Sequence, residues 1–205
     1  ALARAIAVDP EVLLLDEPLG ALDPQTRENV QQDLRRLHDE LGITVLHVTH
    51  DFEEAISMGD RLAVLGEGSI RQVGAPAEVF RRPASEFVAR FTMAGNVFPG
   101  VAVKQADGRT AFVAGGATFI TDAGLAGPCQ ASIRPEDVLI SDGTEAGDGD
   151  NHFTGLVARV VNRGSTVSVT VDVPPRLTSL LTRHSFERLN LGIGQRVHVT
   201  LLPAA

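Results

Sequence analysis

Apolar and polar positions follow one rhythm up to residue 92 and another beyond it. Val12 to Leu15 is an unbroken apolar run that ends in Asp16, Glu17 and Pro18. Such a run predicts a parallel strand buried on both faces, with polar groups delivered at its C-terminal end. Asp23-Pro24 predicts a helix start, because Asp caps free amides and Pro has no amide to satisfy. Val30, Leu34, Leu37 and Leu41 then recur at intervals of four, three and four, giving one apolar face, and Gly42 ends the helix. Ile43 to Val48 reads as a second strand ending in Thr49 and His50, Asp51 to Met58 as a short acidic helix, and Arg61 to Leu65 as a third strand. Gly66-Glu67-Gly68 turns the chain into Ile70 to Val73, a hairpin pattern. Pro76 to Arg81 and Ala84 to Phe91 read as two short helices. Alternation of this kind predicts an α/β layer with a mostly parallel sheet.

Composition changes at Thr92 to Gly95, after which helical spacing fades and short Val-rich strands take over. A weak repeat lies in this half: Asn96-x-Phe98-x-Gly100 matches Asn151-x-Phe153-x-Gly155 at a period of 55, each followed by apolar residues. Two related β-modules, 96–141 and 151–205, are expected, joined by an acidic, glycine-rich linker from Ser141 to Asn151. The second module carries one helical segment, Ser185 to Leu191, between the strands Thr166 to Val171 and Val197 to Leu201. Two domains are therefore predicted, residues 1–92 and 93–205.

Charge and composition narrow the chemistry. The 205 residues carry a net charge of -8, with a single Lys (Lys104) and no Trp or Tyr. An acidic surface repels phosphate backbones, which argues against nucleic acid as a partner but not against one nucleotide bound with a metal ion. The lone Cys129 excludes an internal disulfide and a cysteine-rich metal site. No apolar run approaches the length of a membrane span. The opening ALARAIAVDPEVLLLDEP is too charged for a secretory signal, and its helical character and lack of Met read as part of a longer protein.

The residues best suited to chemistry cluster at two strand ends. Adjacent carboxylates at Asp16 and Glu17 can divide labour, one holding Mg²⁺ and the other orienting a nucleophilic water. Asp23 and His50 add a third carboxylate and an imidazole; His50 also follows a buried-looking strand, which places it on the same sheet edge. An imidazole there can donate a hydrogen bond to a terminal phosphate or to the attacking water. A strand-end His that only caps the next helix is the plainer alternative, for which His47 is the better candidate.

With these residues in hand, residues 1–92 resemble the C-terminal half of an ABC-transporter ATPase domain. VLLLDEP, Val12 to Pro18, resembles the Walker B strand, which implies Asp16 for Mg²⁺ and Glu17 as the catalytic carboxylate. LGALD, Leu19 to Asp23, resembles the D-loop, which in this family crosses a homodimer and communicates between two ATP sites. THD, Thr49 to Asp51, resembles the switch loop, with His50 as γ-phosphate sensor, and ALARAI, Ala1 to Ile6, resembles the helix after the LSGGQ signature. The implied fold is a partial P-loop NTPase domain of the ABC type. The 205 residues hold no GxxxxGK[ST] phosphate loop, no LSGGQ and no Q-loop, so alone they are expected neither to bind ATP usefully nor to hydrolyse it.

The C-terminal half resembles the all-β, OB-like TOBE or MOP barrel of importer ATPases, with IRPEDVLIS (Ile133 to Ser141) as its marker. Thr178 to Val199 is most similar to the molybdate- and tungstate-type subgroup. There a T-x-x-S turn, here Thr182 and Ser185, precedes a short helix whose free amides suit an oxyanion. Ser185 as a simple N-cap is the alternative. The oxyanion-binding MOP pattern opens on Ser-Ala-Arg-Asn and closes on Lys-Ala-Ser. This chain has Asp148-Gly149-Asp150-Asn151 and Leu202-Pro203-Ala204 instead, so carboxylates stand where an anion would sit. The resemblance implies the ATPase subunit of an ABC importer, a homodimer using ATP and Mg²⁺. It would lie in the cytoplasm on the inner face of the membrane, with permease subunits and a substrate-binding protein as partners. Molybdate or tungstate is the expected cargo; sulfate, ferric iron, polyamine and sugar importers share the ATPase motifs. A ligand-sensing barrel with an inert ATPase remnant is the reading from a different class.

Overall fold

A short helix, α1 (Leu2–Ile6), precedes strand β1 (Val12–Asp16) in the computed structural model, which describes residues 2–143 and 150–202. Helix α2 (Pro24–Leu41) follows, with Asp23 accepting a hydrogen bond from the Thr26 amide at 3.1 Å and Gly42 closing it in the left-handed region at φ 63°. Gly42 suits that turn because a Cβ would be strained there. Strand β2 (Thr44–Val48) then runs parallel to β1, in a register that sets Asp16 opposite Val48. Asp51 caps helix α3 (Phe52–Met58) by accepting from the Glu54 amide.

The hairpin expected after Leu65 is present: β3 (Leu62–Gly66) and β4 (Ser69–Gly74) are antiparallel, joined through Glu67 and Gly68, both at positive φ. It departs from expectation in one respect. β3 does not extend the parallel sheet; β1 and β2 form one two-stranded sheet and β3 and β4 another. β1 is also not buried on both faces. Leu13 is buried while Leu14, on the opposite side of the strand, is 70% exposed. Helices α4 (Pro76–Arg81) and α5 (Glu86–Phe91) complete the series. Val64, Val79 and Val88 form a small core, and Phe52 stacks on Phe80 at 5.6 Å to hold α3 against α4.

The chain divides into two units, Ala1–Val88 and Ala89–Ala205. The second is all-β apart from one helix. Strands β5 (Asn96–Lys104), β6 (Thr110–Ala114), β7 (Ala117–Thr121) and β8 (Gly127–Ile133) form a sheet in the order β7-β6-β5-β8. A 3-10 turn, Pro135–Asp137, leads to β9 (Val138–Ser141). Then β10 (His152–Asn162), β11 (Thr166–Asp172), β12 (Leu177–Thr182), helix α6 (Arg183–Leu189) and β13 (Arg196–Leu201) follow. These strands form a second sheet in the order β12-β11-β10-β13-β9. Its first four strands repeat the order of the first sheet, and β9 crosses over from the 96–141 stretch to pair with β13. One core, including Phe112, Phe119, Val138, Val169 and Val199, is shared by both sheets.

The two Asn-x-Phe-x-Gly stretches occupy matching places at the starts of β5 and β10. Asn96 bonds both the amide and the carbonyl of Thr178 on β12, and Asn151 bonds both those groups of Ile120 on β7. Each Asn thus ties its own first strand to the third strand of the other half. Gly100 and Gly155 are the points of closest approach to the neighbouring strand. A Cβ would lie 2.4 Å from the Val113 carbonyl at Gly100 and 2.8 Å from the Asp172 carbonyl at Gly155. Most of the expected linker, residues 144–149, lies outside the described residues.

Candidate functional site at the ends of β1 and β2

Parallel pairing of β1 and β2 brings two strand ends level, and chemistry collects there. The Glu17 amide donates to the Val48 carbonyl at 2.9 Å, carrying the ladder one residue past Asp16. Glu17 itself sits at φ 43°, a left-handed conformation unusual for a residue with a Cβ. It turns the chain at the strand tip and sends the next residues away from the sheet. Leu19, 1% exposed, anchors the segment that follows. Arg27 donates to the Leu22 carbonyl at 3.2 Å and lies 3.9 Å from the Asp51 carboxylate, so the 19–23 segment is tied to α2 and α2 to the start of α3.

His50 Nδ1 lies 2.9 Å from Glu17 Oε1, across the two strand ends. The hydrogen bond to Glu17, and then the attraction of its charge, raise the His50 pKa above the ordinary 6.5. Both side chains are exposed, so the pair faces solvent and any ligand that arrives there. The Asp16 carboxylate is exposed at the tip of β1 and makes no hydrogen bond or ion pair among the described residues. No group of three or more metal-ligating side chains exists among those residues. That donor set fits Mg²⁺ in its usual nucleotide role, where one or two carboxylates share the ion with phosphates and water. Asp23 is placed differently: its carboxylate is occupied at the N-terminus of α2, and its pKa is lowered chiefly by its hydrogen bonding with Thr26.

One residue of this region was not anticipated. Glu54 is 4% exposed, on the first turn of α3, with His47 and Thr49 of the β2 end turned toward it. Acidic residues at a helix start are ordinarily read as surface charges favoured by the helix dipole, which is why spacing alone passes over it. The available signal was Asp51-x-x-Glu54, half of a capping box.

In the all-β unit, Thr182 and Ser185 satisfy each other. The Ser185 amide donates to Thr182 Oγ1 at 3.1 Å, and that hydroxyl donates to Ser185 Oγ at 3.0 Å. The Ser185 amide expected to be free for an oxyanion is therefore in use, and the residue that caps α6 is Thr182, not Ser185, which lies within the first turn. Asp150, expected to repel an anion, is paired with Arg109, which also bonds Asp107 at 2.7 Å. Asp148, Pro203 and Ala204 fall outside the described residues.

Comparison with known proteins gives one family match within the all-β unit and several relatives that match along most or all of the chain. Residues 131–205 match the TOBE domain family. A sulfate/thiosulfate import ATP-binding protein of Burkholderia pseudomallei is 41% identical over 211 residues, covering 100% of this chain and 57% of that protein. A molybdate/tungstate import ATP-binding protein of Pyrococcus abyssi is 36% identical over 206 residues, covering 100% of this chain and 58% of its own length. A spermidine/putrescine import ATP-binding protein of Rubrobacter xylanophilus is 40% identical over 85% of this chain and 47% of that protein. The chain thus spans about half the length of the curated relatives it matches. Among solved structures, the cytoplasmic molybdate-binding protein ModG aligns with a TM-score of 0.43 and 19% identity, over 54% of this chain and 91% of its own.

Proposed function

We propose that this chain, part of an ABC transporter ATP-binding protein that carries a TOBE domain, supplies the hydrolytic edge of an importer's ATP site. The observation that carries the reading is the Glu17–His50 contact at 2.9 Å, made between the ends of two parallel strands with Asp16 beside it. In the complete protein, a homodimer built on a P-loop NTPase fold of the ABC type, these residues would act on ATP bound against residues outside this chain.

Asp16 is the residue to hold Mg²⁺, and the ion when bound supplies positive charge to the β- and γ-phosphates. Glu17 accepts a hydrogen bond from the attacking water and points it at the γ-phosphorus. The new bond joins water oxygen to phosphorus, the bond from phosphorus to the β,γ-bridging oxygen breaks, Glu17 takes up the proton the water gives up, and ADP and phosphate leave. His50 holds the Glu17 carboxylate in place and, protonated, offers its other ring nitrogen to the developing charge on the γ-phosphoryl group. Asp23 fixes the start of α2, and with it the 19–23 segment that would face the second subunit.

The site would sit on the cytoplasmic face of a membrane, with permease subunits driven by the hydrolysis and a substrate-binding protein delivering cargo. An oxyanion is the cargo we propose. Relatives named for sulfate and for molybdate or tungstate both match along the whole chain, and these are tetrahedral dianions of one chemical class. The all-β unit acts as a regulatory and dimer-forming part, in which Thr182 and Ser185 are hydrogen-bonded to each other.

The test uses the full-length protein with its permease. Glu17→Gln should cut ATP turnover by about 100-fold or more, and His50→Ala by about 10- to 100-fold. Uptake of labelled sulfate or molybdate should fall in parallel. Turnover indifferent to Glu17→Gln would rule out the assigned chemistry, and uptake of spermidine in place of either anion would rule out the cargo.

A further inference from the structure

We propose that Glu54 is a positioning residue for His50, the clamp that fixes the strand-end turn from which that imidazole projects. The inference rests on the hydrolytic reading above and assigns a role to a buried carboxylate that the reading leaves unused.

A carboxylate taken out of water is costly unless it is paired and hydrogen-bonded. Glu54 is 4% exposed, and its two oxygens have different partners. Oε1 lies 2.6 Å from His47 Nε2; the two atoms lack hydrogen-bond alignment, and neither has another hydrogen-bonding partner. Oε2 accepts a hydrogen bond from Thr49 Oγ1 at 3.2 Å. That same hydroxyl accepts the Asp51 amide at 3.0 Å, and Asp51 in turn accepts the Glu54 amide at 3.1 Å.

The consequence lies in which residues are held. His47, Thr49 and Asp51 are all tied to Glu54, directly or through one intervening group, and they alternate with the residues that are not. His50 lies between two of the clamped positions. Its backbone is fixed on both sides while its side chain, 76% exposed, is free to meet Glu17. A turn held only by its peptide ladder would leave the imidazole direction to solvent. Displacement of a reacting group by about 1 Å is enough to cost on the order of 100-fold in rate. The carboxylate does not touch the reacting atoms itself; it acts through His50.

A double-mutant cycle in the full-length protein separates positioning from plain stabilisation. Glu54→Gln keeps the shape of the side chain but removes the charge that His47 faces. It should lower kcat roughly 10- to 100-fold with the KM for ATP changed less than about 2-fold. In a His50→Ala background the same change should cost less than about 2-fold further, because the residue it acts through is gone. Thr49→Val, which removes the bridging hydroxyl, should follow Glu54→Gln in both backgrounds, and Thr49→Ser should recover most of what Thr49→Val loses. The Thr49 pair keeps the test open should Glu54→Gln fail to fold. Equal losses with and without His50, or a kcat untouched by Glu54→Gln and Thr49→Val, overturn the proposal. Turnover lost in Glu17→Gln but intact in the Glu54 and Thr49 variants overturns this inference alone. Turnover surviving Glu17→Gln overturns the hydrolytic reading and this one with it.

Discussion

At the scale of single residues, the Glu17–His50 contact makes a titration prediction. His50 ordinarily titrates near 6.5, and the hydrogen bond and charge of Glu17 raise that value in the folded chain. A raised folded value means the contact stabilises the fold fully below the unfolded pKa. The contribution is then lost as pH rises through the folded pKa. NMR titration of the ring protons should therefore give a His50 midpoint above 6.5 in the wild-type chain. It should fall back toward 6.5 in Glu17→Gln, with the melting temperature difference between the two proteins shrinking as pH rises past the folded midpoint. A midpoint unmoved by Glu17→Gln would mean that the two side chains do not meet in solution.

At the scale of elements, the two halves of the all-β unit hold each other through Asn96 and Asn151. Asn96 is 2% exposed and makes three hydrogen bonds, two to Thr178 and one to the Ile133 carbonyl. Asn151 makes two, both to Ile120. Truncation leaves buried backbone groups without partners, at about 1–3 kcal/mol for each such group. Asn96→Ala should therefore cost more stability than Asn151→Ala, and the pair together should cost about the sum if the two ties are independent. Denaturant melts of the three variants check the order.

The sequence carried much of this architecture, and the particular residues show why. Asp23-Pro24 and Gly42 bracket α2 because caps are local chemistry, legible in a few adjacent residues. The three residues shared by the repeat at 96 and 151 are those with structural work: an Asn that crosses to the other half, a Phe against the core and a Gly at a close approach. What escaped was non-local. The β3-β4 hairpin was legible, but that β3 stays out of the β1-β2 sheet depends on contacts no short pattern encodes. β9 leaves its own half to pair with β13 for the same reason. Glu54 escaped because its environment, and not its type, makes it unusual. Asp23 was legible as the cap of α2, whereas only the folded chain shows that Glu17 and His50 are in contact.

In the whole molecule, the unit that carries the proposed hydrolytic edge is followed by an all-β unit whose residues from 131 onward match the TOBE domain family. As proposed, Glu17 directs the water that cleaves ATP. The direct measurement is the chemical identity of nucleotide retained by the full-length protein after incubation with Mg²⁺ and radiolabelled ATP. The Glu17→Gln protein should bind ATP with near wild-type affinity and hold it as ATP over times in which the wild type has converted it to ADP. Recovery of ADP from Glu17→Gln at the wild-type rate would contradict the claim.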